Sequence, residues 1–356
     1  MVYGNKSQTI MIFNNPFGAP SRVKKLRTLI SVILFLVFSS FICFFLELSQ
    51  YAKKPASASA EKKVVIIQPG QGLNAAIEQL SKKGIINNRL KFKIFARLKG
   101  YGKNIQAGEY LLSPSMPPTT ILEFLVTGKV NLHKITIIEG YNLSQIADIV
   151  AKAGFTSRTD FYAAATDSSF VNQKGIDAKT FEGYLFPETY YFPKVSTPEK
   201  MISTMVDRFQ SVFTAKWKKR TKELGLSIHQ IVTLASIIEK ETGAPFERPI
   251  ISSVFHNRLK KGMRLEADPT VIYGLKNFNG NLTRKHLTTW SPYNTYKIKG
   301  LPIGPIACPG ARAIEAALYP SDTRFIFFVS KRDTTHQFST NLKDHNKAIN
   351  KYQLRR

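Results

Sequence analysis

The sequence predicts an α+β protein carried on a single N-terminal transmembrane helix. Three observations lead there. Thr28 to Leu46 runs without a charge, and ~20 apolar residues cross the hydrocarbon core of a bilayer. A strand-turn-helix plan occurs twice between Val64 and Gly154, and a strongly apolar helix pattern from Ser227 ends in Glu239-Lys240-Glu241 before a Gly- and Pro-rich stretch. These patterns place an α/β region at 64–156 and an α+β domain with a buried helix at 157–356.

A chain of 356 residues that is 43% hydrophobic can bury sizeable cores. The formal net charge of +27 suits an acidic polymer, an anionic membrane surface or nucleic acid. Lys and Arg are spread along the chain, however, without an RRM, KH, C2H2 or P-loop pattern. No nucleic-acid partner is expected.

Residues 1–27 form a basic N-terminus, with Arg22, Lys24, Lys25 and Arg27 just ahead of the apolar run at 28–46. The positive-inside rule keeps this end cytoplasmic and sends the rest across the membrane. Ala56, Ala58 and Ala60 offer an A-x-A-like cleavage site. The apolar run nevertheless exceeds a signal-peptide h-region, so an uncleaved anchor is expected. Residues 47–63, including PASASAEKK, have linker composition. Cys43 lies in the membrane run and Cys308 far away in the exported part, so no disulfide and no Cys-based metal site is expected.

From Val64, VVIIQPGQGLNAAIEQLSKKGII reads as a strand, a turn and a helix with Leu73, Ile77 and Leu80 on one face. KITIIEGYNLSQIADIVAKAGF, from Lys134, repeats it: Leu143 matches Leu73 and Gly154 matches Gly84. Between the copies, Phe92 to Leu98 and Thr119 to Val126 read as helices and AGEYLL as a strand. FEGYLFPETYYFP, from Phe181, mixes aromatic rings with Glu182 and Glu188. It suits either a core strand and turn or a sugar-binding surface in which Tyr184 and Glu188 take part.

Ser227 with Gln230 forms a capping-box pattern, and Ile228, Ile231, Leu234, Ala235 and Ile238 recur at helical spacing. The helix is expected to run to about Thr242, stopped by Gly243 and Pro245. Glu239 and Glu241 stand in its last turn, where the helix dipole and partial burial both disfavour negative charge. A raised carboxyl pKa is what a general acid for glycoside cleavage requires. A solvated helix end with ion pairs is the plain alternative, and spacing does not choose between the two glutamates, since they flank the apolar line on opposite sides.

Asp268, before Pro269, is either a turn residue or a second cleft carboxylate. Ser291, Tyr293, Asn294, Thr295 and Tyr296 make a polar, aromatic loop able to hold glycan hydroxyls and acetamides, followed by the rigid GLPIGPIACPG. His336 and His345 lack an HExxH, HxxEH or Cys companion, so neither a metal nor a cofactor is expected.

EGYLFPETYYF, LASIIEKET, SVFHNRL, MRLEADPTVIYG, SPYNTYKIKGLPIGPIACPGARAIEAAL and HQFSTNLKDHN together resemble the endolytic murein transglycosylase (MltG/YceG-like) family, in order and spacing. The strand-turn-helix copies are similar in plan to LysM-like glycan-binding modules, and a spacer that only packs is the alternative for them. The resemblance implies an inner-membrane lyase with a periplasmic LysM-like region at 64–156 and a YceG-like catalytic domain at 157–356. Its expected activity is cleavage of nascent peptidoglycan between N-acetylmuramic acid and N-acetylglucosamine, leaving 1,6-anhydro ends and terminating strand elongation.

It also implies that the acid is the Glu followed by Thr, Glu241, with Glu239 in support. His336, Ser339, Asn341 and His345 are implied to lie near the cleft. Ile303 and Cys308 depart from the family's usual Pro and Asn, which bears on substrate preference. Peptidoglycan synthases are implied as partners by family analogy alone. Two rivals stay open: a muramidase using Glu241 and Asp268 with water, and a non-catalytic peptidoglycan-binding scaffold.

Overall fold

The computed structural model describes Met1, residues 21–241 and residues 244–354, with side chains in the first helix from residue 24. Most of the expected basic segment 1–27, the side chain of Arg22, and Thr242 with Gly243 at the expected helix stop lie outside the described residues. The fold is mixed α+β. It divides into two compact units, Met1–Val130 and Asn131–Arg356.

The first unit holds α1 (Ser21–Lys53), β1 (Lys63–Ile67), α2 (Leu73–Lys82), α3 (Arg89–Leu98), β2 (Gly108–Leu112) and α4 (Pro118–Thr127). Among the described residues one helix, Lys24–Lys53, is long and apolar enough to cross a membrane. The apolar run ends at Leu46, but α1 continues to Lys53 because nothing breaks it before Pro55. Leu48, Tyr51 and Ala52 are buried in the core of this unit, and Tyr51 donates to the Asn88 carbonyl at 3.0 Å. Residues 47–53 are therefore part of α1 and of this core, and only the stretch from Lys54 to the start of β1 remains outside the helices and strands.

In the second unit, β3 (His133–Thr136), α5 (Leu143–Lys152), α6 (Arg158–Ala165), α7 (Ser168–Gln173) and β4 (Thr189–Phe192) are followed by α8 (Pro198–Val212), α9 (Ala215–Glu223) and α10 (Ile228–Glu241). Then come α11 (Arg248–Lys260), α12 (Asp268–Tyr273), α13 (Arg284–Thr288), α14 (Ala311–Leu318), β5 (Phe327–Ser330), β6 (His336–Ser339) and α15 (Leu342–Ile349).

The expected repeat is present in both units and runs further than the sequence suggested. Helices α2 and α5 begin at equivalent leucines, and the flanking glycines match in conformation: Gly70 and Gly140 at φ 82° and 78°, Gly84 and Gly154 at 68° and 71°. The return strands match as well. Val65 pairs with Tyr110 and Ile135 with Tyr190, and each tyrosine donates to the carbonyl four residues before it, Gln106 at 2.7 Å and Phe186 at 2.6 Å. Both copies then enter a helix through Pro at its first turn, Pro118 and Pro198.

The antiparallel partner decides where the units divide. β3 pairs with β4, some fifty residues downstream, so the second copy goes with the second unit. The division falls after Val130, not at the 156/157 boundary expected from the sequence.

Helix α10 is the axis of the second unit. Ser227 Oγ accepts the Gln230 N–H at 3.1 Å, and Gln230 Oε1 accepts the Ser227 N–H at 2.8 Å, which makes the expected capping box. Every residue from Ile231 to Ile238 is buried, so the helix is enclosed on all sides. Its polar members are satisfied: Thr233 donates to the His229 carbonyl at 2.7 Å, and Ser236 accepts the Ile306 N–H at 3.0 Å. Packing on this helix are α11, α12 and α14, which bring distant carboxylates to its C-terminal end.

Candidate active site

The two glutamates at the end of α10 have different surroundings. Glu239 Oε1 accepts from Arg248 Nη2 at 2.9 Å and Oε2 from the Gly310 N–H at 2.9 Å, with both side chains of the ion pair 10% exposed or less. It thereby caps α14 and ties α10 to α11. Glu139, in the turn after β3, lies against the same group, and burial and the Glu239 charge hold its carboxyl above the usual range. A Cβ at Gly310 would overlap the Glu139 carboxyl, so only glycine admits this approach.

Glu241 has no ion-pair or hydrogen-bond partner among the described residues. Burial, reinforced by the Asp268 carboxylate, pushes it up to about 8, while Arg258 pulls the other way. Such a carboxyl is protonated at neutral pH and near the point of releasing its proton.

Asp268 opens α12 and accepts the Tyr296 hydroxyl at 2.7 Å. Burial and the carboxylates around it raise the Tyr296 phenol, which stays protonated as the donor. The loop before Asp268 is held from both sides. Arg258, buried on α11, donates to the carbonyls of Ile326, Arg264 and Leu265 at 2.7, 3.2 and 2.9 Å and to Glu266 Oε2 at 3.2 Å. Thr295 accepts the Ala267 N–H at 3.0 Å and shares a 2.8 Å contact with the Thr270 hydroxyl. Glu266 takes φ 47° between these clamps, a conformation costly for a residue with a Cβ.

The remaining expected residues fall into distinct places. Asn294 and Thr295 are at most 1% exposed. The Asn294 amide donates to the carbonyls of His286, Leu287 and Thr289 at 3.2, 3.1 and 2.6 Å. Both shape the loop from within and leave Tyr296, Tyr293 and Ser291 as its accessible side chains. Tyr184 is buried with its hydroxyl 2.9 Å from His229 Nδ1, and Glu188 pairs with Arg208 on α8.

His336 is held by Glu247, which accepts its backbone N–H at 2.9 Å and lies 2.7 Å from its Nδ1. Ser339 is buried in β6 beside a cavity of about 440 Å³ at the C-terminal hairpin. Asn341 caps α15 through the Asp344 N–H at 2.9 Å, and His345 stacks on Phe327 with centroids 4.8 Å apart. Among the described residues no three His, Cys, Asp or Glu side chains gather as a metal site.

Arg258 and Glu247 carry functions in this region that sequence reasoning did not assign. Their signal was a charged residue inside an otherwise buried helical pattern, SVFHNRL and PFERPII, where an unpaired charge is rarely tolerated.

The pattern of the YceG-like family matches residues 65–351. The chain belongs to the YceG-like family. It is 36% identical over 302 residues to an endolytic murein transglycosylase of Bacillus subtilis, covering 80% of this chain and 83% of that one. A protein of the same name from Streptococcus pneumoniae is 29% identical over 334 residues, and the alignment spans 83% of this chain but 59% of that longer relative. The crystal structure of a YceG-like protein from Listeria monocytogenes matches with a TM-score of 0.56 and 36% identity, over 81% of this chain and 99% of that one. The YceG-like match thus takes in both copies of the repeat as well as α10.

If Asp268 helps keep the Glu241 proton in place, its charge is the part that matters. Asp268→Asn removes that charge and retains a hydrogen-bonding group for Tyr296. The alkaline limb of kcat/KM is then expected at lower pH than in wild type. A pH profile with the limb unmoved would show that Asp268 does not act on Glu241.

Proposed function

We propose that the protein is an endolytic peptidoglycan lytic transglycosylase with Glu241 as its single acid and base. The carrying observation is the placement of Glu241 at the end of an enclosed helix, without a side-chain partner among the described residues and raised by burial and the Asp268 charge, while its neighbour Glu239 is held in an ion pair. Protonated Glu241 donates to the glycosidic oxygen between N-acetylmuramic acid and N-acetylglucosamine as the bond breaks through an oxocarbenium-like state. The same carboxylate then takes the proton from the C6 hydroxyl of the muramic acid, whose oxygen closes on C1 to leave a 1,6-anhydro end. Asp268, with the Tyr296 hydroxyl, faces the developing positive charge. His336, held by Glu247, and the accessible side chains Ser291 and Tyr296 contact the glycan around the reacting bond.

The relatives named endolytic murein transglycosylase support this reading. Asp268 also supports a second one, a muramidase in which Glu241 protonates the leaving oxygen and Asp268 works with a water that adds to C1. The test is mass spectrometry of peptidoglycan digested by the wild-type protein. Anhydro-muramic ends are expected; free reducing muramic ends would establish the muramidase, and glycan that is bound but uncut would leave a scaffold.

In this reading α1 anchors the protein in the inner membrane with its N-terminus cytoplasmic, and both units act in the periplasm on nascent strands. Synthases that extend those strands are the partners the reaction calls for. The first copy of the repeat serves as a LysM-like glycan holder. A Cβ built at Gly70 would meet nothing within 4 Å, whereas one at Gly140 would rest against Lys240 and Glu239.

A further inference from the structure

Two neighbouring cavities lie at the N-terminal end of α10 and share Asp177 and His229. One, of about 480 Å³, is bounded by Glu182, Lys179, Tyr293 and the Gly304-Pro305 wall. The other, of about 390 Å³, is bounded by Tyr184, Phe209, Phe213 and Lys218. His229 stands in the first turn of α10 and Glu241 at its end, which separates them by ~18 Å along the helix axis. These cavities are not part of the Glu241 cluster.

The larger cavity has a built wall. Gly304 has no side chain, and a Cβ there would touch His229 Nε2 at 3.5 Å and the Tyr293 hydroxyl at 3.7 Å; His229 Nε2 also lies 3.2 Å from the Ile303 carbonyl, which fixes the ring against this wall. His229 is oriented by Tyr184, whose hydroxyl is 2.9 Å from Nδ1. Across the cavity Glu182, 6% exposed, takes the Leu143 N–H on both oxygens at 3.2 Å and the Tyr273 hydroxyl at 2.9 Å. Tyr273 in turn packs edge-on against Tyr293, with centroids 4.8 Å apart.

The chemistry of the lining selects among ligands. Asp177 and Lys179 oppose one another in sign at the rim. Burial pushes the Glu182 carboxyl up to about 7, and its oxygens are already taken by the Leu143 N–H and the Tyr273 hydroxyl. The Tyr293 and His229 rings, the apolar Ile303 and Pro305 and the polar Thr180, Asp177 and Lys179 suit a ligand rich in hydroxyl and amide groups that also has an apolar face.

We propose that this cavity is a second glycan subsite, remote from the reacting bond, which holds one N-acetylated sugar with its acetamide over Gly304 between Tyr293 and His229. The proposal rests on reading the second unit as a glycan-cleaving enzyme. It makes the enzyme read a strand at a distance from the bond it cuts.

The probe is an N-acetylglucosamine tetrasaccharide, titrated calorimetrically into full-length Glu241→Gln protein in detergent so that no turnover intervenes. Gly304 is not in the left-handed region, so Gly304→Leu fills the cavity without straining the backbone. Affinity is expected to fall at least tenfold in Glu241→Gln/Gly304→Leu and several-fold in Glu241→Gln/Tyr293→Phe. Equal affinity in all three proteins, as for a tetrasaccharide held only at Glu241, overturns the subsite, as does absence of binding to Glu241→Gln itself. Should Gly304→Leu fail to fold, Tyr293→Phe decides, because it removes a single hydroxyl. Weakening confined to peptide-bearing strands would assign the cavity to the stem peptide and overturn the sugar. Uncut peptidoglycan with wild-type protein would overturn the parent reading while leaving tetrasaccharide binding measurable.

Discussion

Glu241→Gln is expected to lower kcat for strand cleavage by at least ~10³-fold, because in the proposed mechanism one group serves as acid and then as base and each role contributes ~10²–10⁴. Glutamine keeps the shape and cannot release a proton, so the fold should survive. Stability provides an independent reading of the same substitution. The folded-state pKa of Glu241 is raised to about 8, well above an unfolded carboxyl. The folded state therefore holds more protons than the unfolded state between about pH 4.5 and 8, and wild type loses stability as pH rises through that window. Glutamine has no such loss. Denaturant unfolding should place Glu241→Gln above wild type at pH 8 by on the order of 4 kcal/mol, and nearly level with it at pH 4.5. Parallel curves across that range would mean that Glu241 is not held protonated, and the acid would have to be sought elsewhere.

Glu239→Ala is expected to act on stability more than on chemistry. It strands Arg248, which is 8% exposed, and removes the acceptor of the Gly310 N–H at the start of α14. Breaking a buried pair by deleting one partner costs about 3–5 kcal/mol. For a unit of this size the thermal midpoint should fall by roughly 10 °C. The Arg248 Nε already lacks a hydrogen-bond partner, so little compensates the loss. Below the lowered midpoint the variant should still release anhydro-ended products. Full stability with no activity would exchange the roles of the two glutamates and leave Glu241 as the structural member.

Much of this architecture was legible because it rests on local rules. The charge-free run at 28–46, the capping box at Ser227 and Gln230, and the repeat marked by Gly84 and Gly154 are written in periodicity and turn chemistry. The linker at 47–63 was misread in its first part because composition cannot reveal that Leu48, Tyr51 and Ala52 meet a core. The division after Val130 was missed for a similar reason: a strand's partner is a long-range choice, and β4 lies beyond the segment that looked like a unit.

The choice between Glu239 and Glu241 followed the family resemblance, and the structure adds a physical basis for it. Asn294 and Thr295 look like ligand-binding residues by type, yet their polar groups bond inside the protein. A polar side chain in a surface loop reads the same in sequence whichever way it points.

By itself the sequence determined the apolar anchor, the enclosed helix, the doubled strand-turn-helix plan and the pair of carboxylates at the helix end. These depend on spacing along the chain, which sequence records directly. Only the tertiary structure decided which carboxyl is paired and which is left to hold a proton. Arg248, Gly310, Asp268 and Arg258 reach the end of α10 from separate elements, and a pKa is set by the charges and the solvent that surround a group in space.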